Sequence, residues 1–213
     1  MRPTPLPRRR LLRRAAVGAA AVAFPALWLG ARAAAPAARI ATPAQTEGPF
    51  YPLQLPADSD ADLLANGARR YTRGQAVELS GRVIDLEGRP LKGGRIEIWQ
   101  CDQDGRYHHP GDGGRADPAF QGYGQAALGA DGGYRFRTLR PAAYSGRTPH
   151  IHVKVRLGRR ELLTTQLYVD GDPGNARDFL WRRLNDAERA ALTVPFRPAA
   201  GGLQAAFEIV VAA

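Results

Sequence analysis

Four histidines fall in two tight pairs, His108-His109 and His150-Ile151-His152. Alternate residues of a strand share a face, so His150 and His152 can grip one metal ion while Ile151 and Val153 pack behind them. Neutral imidazole suits zinc, copper, iron or nickel, so this pair does not choose the metal. Two histidines lining a solvent face are the plain alternative. Two tyrosines stand nearby in the sequence: Tyr107, in Asp104-Gly105-Arg106-Tyr107-His108-His109-Pro110, and Tyr144, six residues before His150. A phenol, with its ordinary pKa near ~10, is a costly ligand for most metals. A hard trivalent cation offsets that cost by stabilising the phenolate. Two phenolates and two imidazoles around Fe(III) would leave a position for solvent hydroxide and act as a Lewis acid towards an oxygen chelate. Ordinary packing in a turn is the alternative for each tyrosine.

The elements that must position these side chains read as strands. Residues 77–84, 95–100, 134–138, 151–155, 161–169 and 206–211 alternate apolar with polar or are rich in β-branched residues. The turn-rich link Asp85-Leu86-Glu87-Gly88-Arg89-Pro90 predicts that the first two are neighbours. Residues 102–132 are rich in Gly and Asp without regular period, as expected of a long loop that is either functional or disordered. Only 178–191 shows helical spacing, with Asn185-Asp186 as a local break. The expected fold is all-β: an antiparallel β-sandwich with long Gly-rich loops and one short C-terminal helix. Residues 34–75 read as an extended N-terminal arm, whose distinctive segment is Thr46-Glu47-Gly48-Pro49-Phe50-Tyr51-Pro52, and 76–213 as the catalytic sandwich domain.

The formal charge of +10 on 213 residues suggests a nucleic-acid binder, but its location argues otherwise. Residues 1–33 hold seven arginines and no acid, and the remainder is nearly balanced, with 23 basic and 20 acidic residues. Arg8-Arg9-Arg10-Leu11-Leu12, an uncharged Ala-rich run, then Ala31-Arg32-Ala33 form the three regions of a cleavable signal of the twin-arginine type. The uncharged run is 17 residues, interrupted by Pro25, and too short to span a bilayer. Export to the periplasm or beyond is expected, with no stable membrane anchor and no nucleic-acid partner. The single Cys101 excludes an intrachain disulfide framework.

Several spaced strings carry a resemblance. Trp99-Gln100-x-Asp102-x-x-Gly105-Arg106-Tyr107-x-His109, Phe120-Gln121-Gly122-Tyr123-Gly124, Asp131 to Thr138, Arg147-Thr148-Pro149-His150-Ile151-His152 and Thr165-Gln166-Leu167-Tyr168 occur in order. Together with the Thr46–Tyr51 segment, they resemble the intradiol ring-cleavage dioxygenases, the superfamily of protocatechuate and catechol dioxygenases. The resemblance implies one non-haem Fe(3+) per chain, a catechol-type substrate, and O2, with the ring opened between its hydroxylated carbons to a cis,cis-muconate-type diacid. It implies Tyr107, Tyr144, His150 and His152 as metal ligands, with Tyr144 released as a base when substrate binds. Arg147 is expected to stabilise charge developing on the substrate. Gln166 is expected to orient His150 or the oxygen species, and His109 to hydrogen-bond around the site. Only five residues separate Tyr144 from His150, and Ser145-Gly146 stands where protocatechuate enzymes carry a longer insertion with an aromatic residue. A more open pocket is therefore expected. Two other readings fit the residues: an exported, non-catalytic β-sandwich binding module, and a zinc or copper enzyme using the His-x-His pair. A homo-oligomer is compatible with all three.

Overall fold

A computed structural model describes residues 39–213; the leader expected over residues 1–33 lies outside them. A two-residue ribbon, β1 (Ala65–Asn66) and β2 (Arg69–Arg70), precedes the sandwich. Its main strands are β3 (Ala76–Asp85), β4 (Gly94–Trp99), β5 (Tyr123–Ala127), β6 (Gly133–Leu139), β7 (His150–Leu157) and β8 (Arg160–Val169). The helix α1 (Asp186–Leu192) follows, then the short strands β9 (Thr193–Val194), β10 (Arg197–Ala199), β11 (Gly202–Ala206) and β12 (Ile209–Val211). One sheet runs β10-β11-β3-β12, with β6 also paired to β3; the other runs β5-β4-β7-β8-β9. The long pairs are antiparallel, while β11 and β12 join β3, and β9 joins β8, in parallel.

The two sheets bury one face each. Val77, Leu79, Val83 and Phe136 from the first pack with Ile96, Ile98, Ile151, Val153, Val155 and Leu167 from the second. Period-two alternation sends the intervening residues of the second sheet outward: Glu97 and Trp99 on β4, then His150, His152 and Lys154 on β7. That outer face is not left to solvent, because Glu97, Trp99, His150, His152 and Lys154 are all buried. The segment around Thr42–Tyr51 covers it. Gln45 N–H donates to Thr164 O at 2.9 Å, so the arm lies along the free edge of β8.

Four expectations change. Residues 77–84 and 95–100 lie in opposite sheets, not side by side. Asp85 closes its turn locally, with its carboxylate accepting from the amides of Glu87 and Arg89, and Leu91 N–H returns to Val83 O. The chain thus folds back on β3 for a moment before crossing to the other sheet. The loop expected over 102–132 contains β5, whose Tyr-Gly-Gln-Ala-Ala sequence shows no alternation. A Cβ at Gly124 would meet Leu63 Cδ1 at 2.5 Å, so the glycine lets the preceding chain pack on this strand. Helical structure over 178–191 reduces to a 3₁₀ turn at Trp181–Arg183 and α1. Asn185 caps α1 in a reciprocal capping box with Glu188, which begins the helix anew. The strand over 206–211 is broken at Phe207-Glu208, where Phe207 O accepts from Tyr134 Oη at 2.6 Å. Among the described residues no helix is long and apolar enough to cross a membrane.

Candidate metal centre

His150 and His152 point from β7 to the covered face, and their Nε2 atoms lie 3.2 Å apart. His150 Nδ1 sits 2.7 Å from Thr148 O, which can only accept. Nδ1 therefore carries the proton, and the neutral ring presents a bare Nε2 lone pair to its neighbour. Burial, then the cation of Arg147, lowers the His150 pKa to about 4; burial, then the cost of a second charge beside His150 and near Arg147, puts His152 well below its usual value. Trp99, the cross-strand partner of His152, stacks on its ring at 4.7 Å and 9° and fixes its plane.

Two loops deliver the tyrosines. After β4 the chain turns on Asp102, whose carboxylate accepts from the amides of Asp104, Arg106 and Asp117. Asp112 then accepts from Tyr107 N–H at 2.8 Å, which points the ring inward. Gly105, at φ +73°, allows this loop to touch the other one, since a Cβ there would meet Ala143 O at 2.8 Å. Tyr144 and Arg147 flank a two-residue turn closed by Arg147 N–H to Tyr144 O at 2.7 Å. Its central residues, Ser145 and Gly146, sit at φ 40° and 76°, the pattern of a type I′ turn. Tyr144 Oη reaches 3.5 Å from His150 Nε2, and the Tyr107 and Tyr144 rings meet edge-on at 5.0 Å.

Tyr107, Tyr144, His150 and His152 are thus brought together. Among the described residues no group of three or more His, Cys, Asp or Glu side chains is placed to hold a metal ion, so a centre here depends on the tyrosine oxygens. Burial raises both phenol pKa values, that of Tyr107 strongly. The Tyr107 hydroxyl and His152 Nδ1 are buried without a hydrogen-bond partner. Buried polar atoms are rarely left so. A cation among the two phenols and the facing ring nitrogens would engage the Tyr107 oxygen and turn the opposed Nε2 atoms into ligands. The donor set fits a hard, highly charged ion, the kind that offsets the cost of making phenolate.

Arg147 stands beside this quartet, held at both edges of its guanidinium. Nε donates to Asp178 Oδ2 at 2.7 Å and a terminal nitrogen to Gln166 Oε1 at 2.7 Å. Gln166 therefore bonds Arg147, not His150, which takes its orientation from Thr148; the Gln166 amide also donates to Thr46 O at 3.0 Å. His109 is tied to Tyr107 through its backbone, N–H to Tyr107 O at 2.8 Å; its Nδ1 accepts from Gly111 N–H at 3.0 Å, and its ring meets the edge of Phe50. Sequence reasoning missed Asp178, fully buried, whose carboxylate also accepts from the amides of Thr148, Leu180 and Trp181. No local signal marks it, because its partner lies 31 residues earlier. The arm was legible as a motif but not as a cover: Phe50 stacks on Tyr107 at 4.7 Å, and a Cβ at Gly48 would lie 3.4 Å from His152 Cε1. An open cleft lies beside Tyr144, lined by Ser145, Gly146, Arg147, Pro173 and Arg177.

The sequence model of a family described as dioxygenase matches residues 46–211. The chain is similar to the beta chain of protocatechuate 3,4-dioxygenase from Burkholderia cepacia, with 34% identity over 161 residues, covering 70% of this chain and 68% of that one. It is similar to hydroxyquinol 1,2-dioxygenase from Corynebacterium glutamicum, 34% identical over 62% of this chain and 47% of the relative. Catechol 1,2-dioxygenase from Acinetobacter baylyi is 30% identical over 66% of this chain and 50% of its own length. The chain thus spans about half to two thirds of these relatives. Among solved structures, the dioxygenase domain of a carbohydrate-binding fusion protein from Streptomyces sp. SirexAA-E superposes with a TM-score of 0.65 at 34% identity, covering 80% of this chain and 97% of that domain. An intradiol ring-cleavage dioxygenase from Tetranychus urticae shares the fold at a TM-score of 0.65 and 20% identity, covering 81% of this chain and 95% of its own.

Proposed function

The chain belongs to the intradiol ring-cleavage dioxygenase family, and from that premise we propose that it opens the aromatic ring of a catechol-type substrate between its two hydroxylated carbons. O2 is the co-substrate, and a cis,cis-muconate-type diacid the product. Tyr107, Tyr144, His150 and His152 would hold one non-haem ferric ion, which supplies the Lewis acidity that activates an ortho-dihydroxy ring towards O2. The observation that carries this reading is the convergence of Tyr144 Oη and the two Nε2 atoms beside the unpartnered Tyr107 hydroxyl.

The chain's own residues divide the remaining work. Tyr144 borders the open cleft, whereas Tyr107 is enclosed. Tyr144, as phenolate, is therefore placed to take a proton from an incoming catechol hydroxyl onto Oη. Arg147 keeps a fixed positive charge at the cleft wall, prealigned by Asp178 and Gln166, and stabilises negative charge that develops on the substrate. Phe50 stacks on Tyr107 and Trp99 on His152, which holds both rings in place on the inner side. The Arg-rich leader supports export, which N-terminal sequencing of the mature protein from the host would test.

The decisive measurement loads purified protein with ferric iron, records its visible spectrum, and supplies a panel of catechols with isotopically labelled O2. A broad tyrosinate charge-transfer band and a ring-opened diacid carrying both labelled atoms are expected. An iron-loaded protein with neither would overturn the reading.

A further inference from the structure

On β7 the residue two beyond His152 on the same face is Lys154, and its side chain is only 2% exposed. Its ammonium pairs with Glu47 of the arm and with Glu161 Oε2 of β8 at 3.1 Å, and it lies 4.1 Å from the centre of the Tyr51 ring. Tyr51 Oη donates to Glu97 Oε2 at 2.8 Å. Glu97 is fully buried on β4, and Arg95 and Arg156 bond its other oxygen at 3.0 and 3.1 Å.

These contacts separate into two bodies. Glu161, Glu97, Arg95 and Arg156 belong to the sheet, and Thr164 Oγ1 donates to Glu161 at 2.7 Å to hold it there. Glu47 and Tyr51 belong to the arm. One ammonium therefore fastens both ends of the segment Glu47–Tyr51 to the sheet. Between the fastenings lie Gly48, facing His152, and Phe50, stacked on Tyr107. Withdrawing an ammonium from water is costly unless it is well paired, and an apolar side chain of similar size would fill this space. What the charge adds over an apolar residue is a directional hold on the arm.

We propose that Lys154 is a positioning residue that clamps Glu47–Tyr51 against the outer face of the β4–β7–β8 sheet, so that Gly48 and Phe50 form a fixed wall over His152 and Tyr107. The clamp rests on the activity proposed above only for its kinetic readout.

The test uses the full chain, comparing wild type, Lys154→Met, Lys154→Arg, Glu47→Gln and the Lys154→Met/Glu47→Gln double variant by hydrogen exchange at the amides of Glu47, Gly48, Phe50 and Tyr51. Lys154→Met and Glu47→Gln are each expected to speed exchange there about tenfold, with the double variant no faster than Lys154→Met alone. Lys154→Arg is expected to exchange more slowly than Lys154→Met. In the iron-loaded enzyme, Lys154→Met should raise KM for a catechol about tenfold and change kcat less than about threefold, with iron content unaltered. Wild-type exchange in both single variants, additive effects in the double variant, or a loss of kcat at constant KM would overturn the clamp. Should Lys154→Met fail to fold, Glu47→Gln decides alone, because Glu47 is 44% exposed and its replacement leaves Lys154 paired with Glu161. A wild-type protein that opens no catechol would overturn the activity, while the exchange result would still decide the clamp.

Discussion

Arg147 donates from Nε to Asp178 Oδ2 across 2.7 Å, and the two side chains are 10% and 0% exposed. This pair joins the hairpin that carries Tyr144 to the turn before α1. Removing one partner of a buried pair strands the other charge, so Asp178→Ala should destabilise the protein by about 3 kcal/mol or more in denaturant titrations. Burial alone would raise the Asp178 carboxyl; the Arg147 guanidinium and the amides of Trp181 and Thr148 outweigh it and hold its pKa below 3.8. A depressed carboxyl stabilises above its unfolded value and loses that contribution as pH falls through its folded value. The stability gap between wild type and Asp178→Asn should thus be full at neutral pH and close below pH 3.8. A gap constant across that range would show that charge is not what Asp178 contributes.

The buried histidines give the metal-free protein a second acid sensitivity, at higher pH. Both have depressed values, His150 at about 4, against 6.5 in an unfolded chain. Between those limits the unfolded chain binds protons that the folded protein refuses, so stability falls as pH drops. The slope should approach about 1.4 kcal/mol per pH unit for each histidine. Thermal or denaturant midpoints of metal-free His150→Gln should show a shallower slope than wild type over the same window.

Tyr107→Phe should separate stability from metal binding. The hydroxyl is buried without a partner, so its removal should leave the metal-free fold unharmed or stabilise it by up to about 1 kcal/mol. The same variant should lose or shift the visible band on iron loading. A destabilised metal-free variant would mean that the hydroxyl is already satisfied within the protein.

The Tyr144–Arg147 turn requires positive φ at both central residues, and Gly146 sits at φ 76° with open space where a Cβ would be. Gly146→Ala should therefore cost about 1 kcal/mol through backbone strain alone, with no clash to relieve. Differential scanning calorimetry would measure that cost. Because the turn sets the offset of Tyr144 from Arg147, turnover should fall further than stability.

Much of this was legible in the chain. Strong alternation marked β7 and β8, and the same alternation put His150 and His152 on one face with Ile151 and Val153 behind. The tyrosines and Arg147 were legible through ordered motifs, not through periodicity. What stayed hidden depends on partners distant in sequence. Asp178 looked like the start of a helix, and one carboxylate oxygen does take the amides of Leu180 and Trp181 as a capping residue would, but the other reaches Arg147, a partner no local pattern announces. Gln166 looked like a partner for His150, but the cross-strand register sets it opposite His152, where its oxygen reaches Arg147. Glu97 and Lys154 have the charges of solvent-facing residues, and only the arm folded over them makes them interior. The strand β5 went unnoticed because glycine and alanine reveal nothing about which face is buried.

On β7, consecutive residues answer to different demands: Ile151, Val153 and Val155 to the oily interior, and His150, His152 and Lys154 to the candidate site and its cover. Robustness and reactivity are thereby interleaved along a single stretch of backbone. Substitutions at one parity bear on the proposed site and its cover, and those at the other on the packing between the sheets. The arrangement is vulnerable to a shift of register. A single inserted or deleted residue in this strand would swap the two sets, driving imidazoles into hydrocarbon and aliphatic side chains towards the arm.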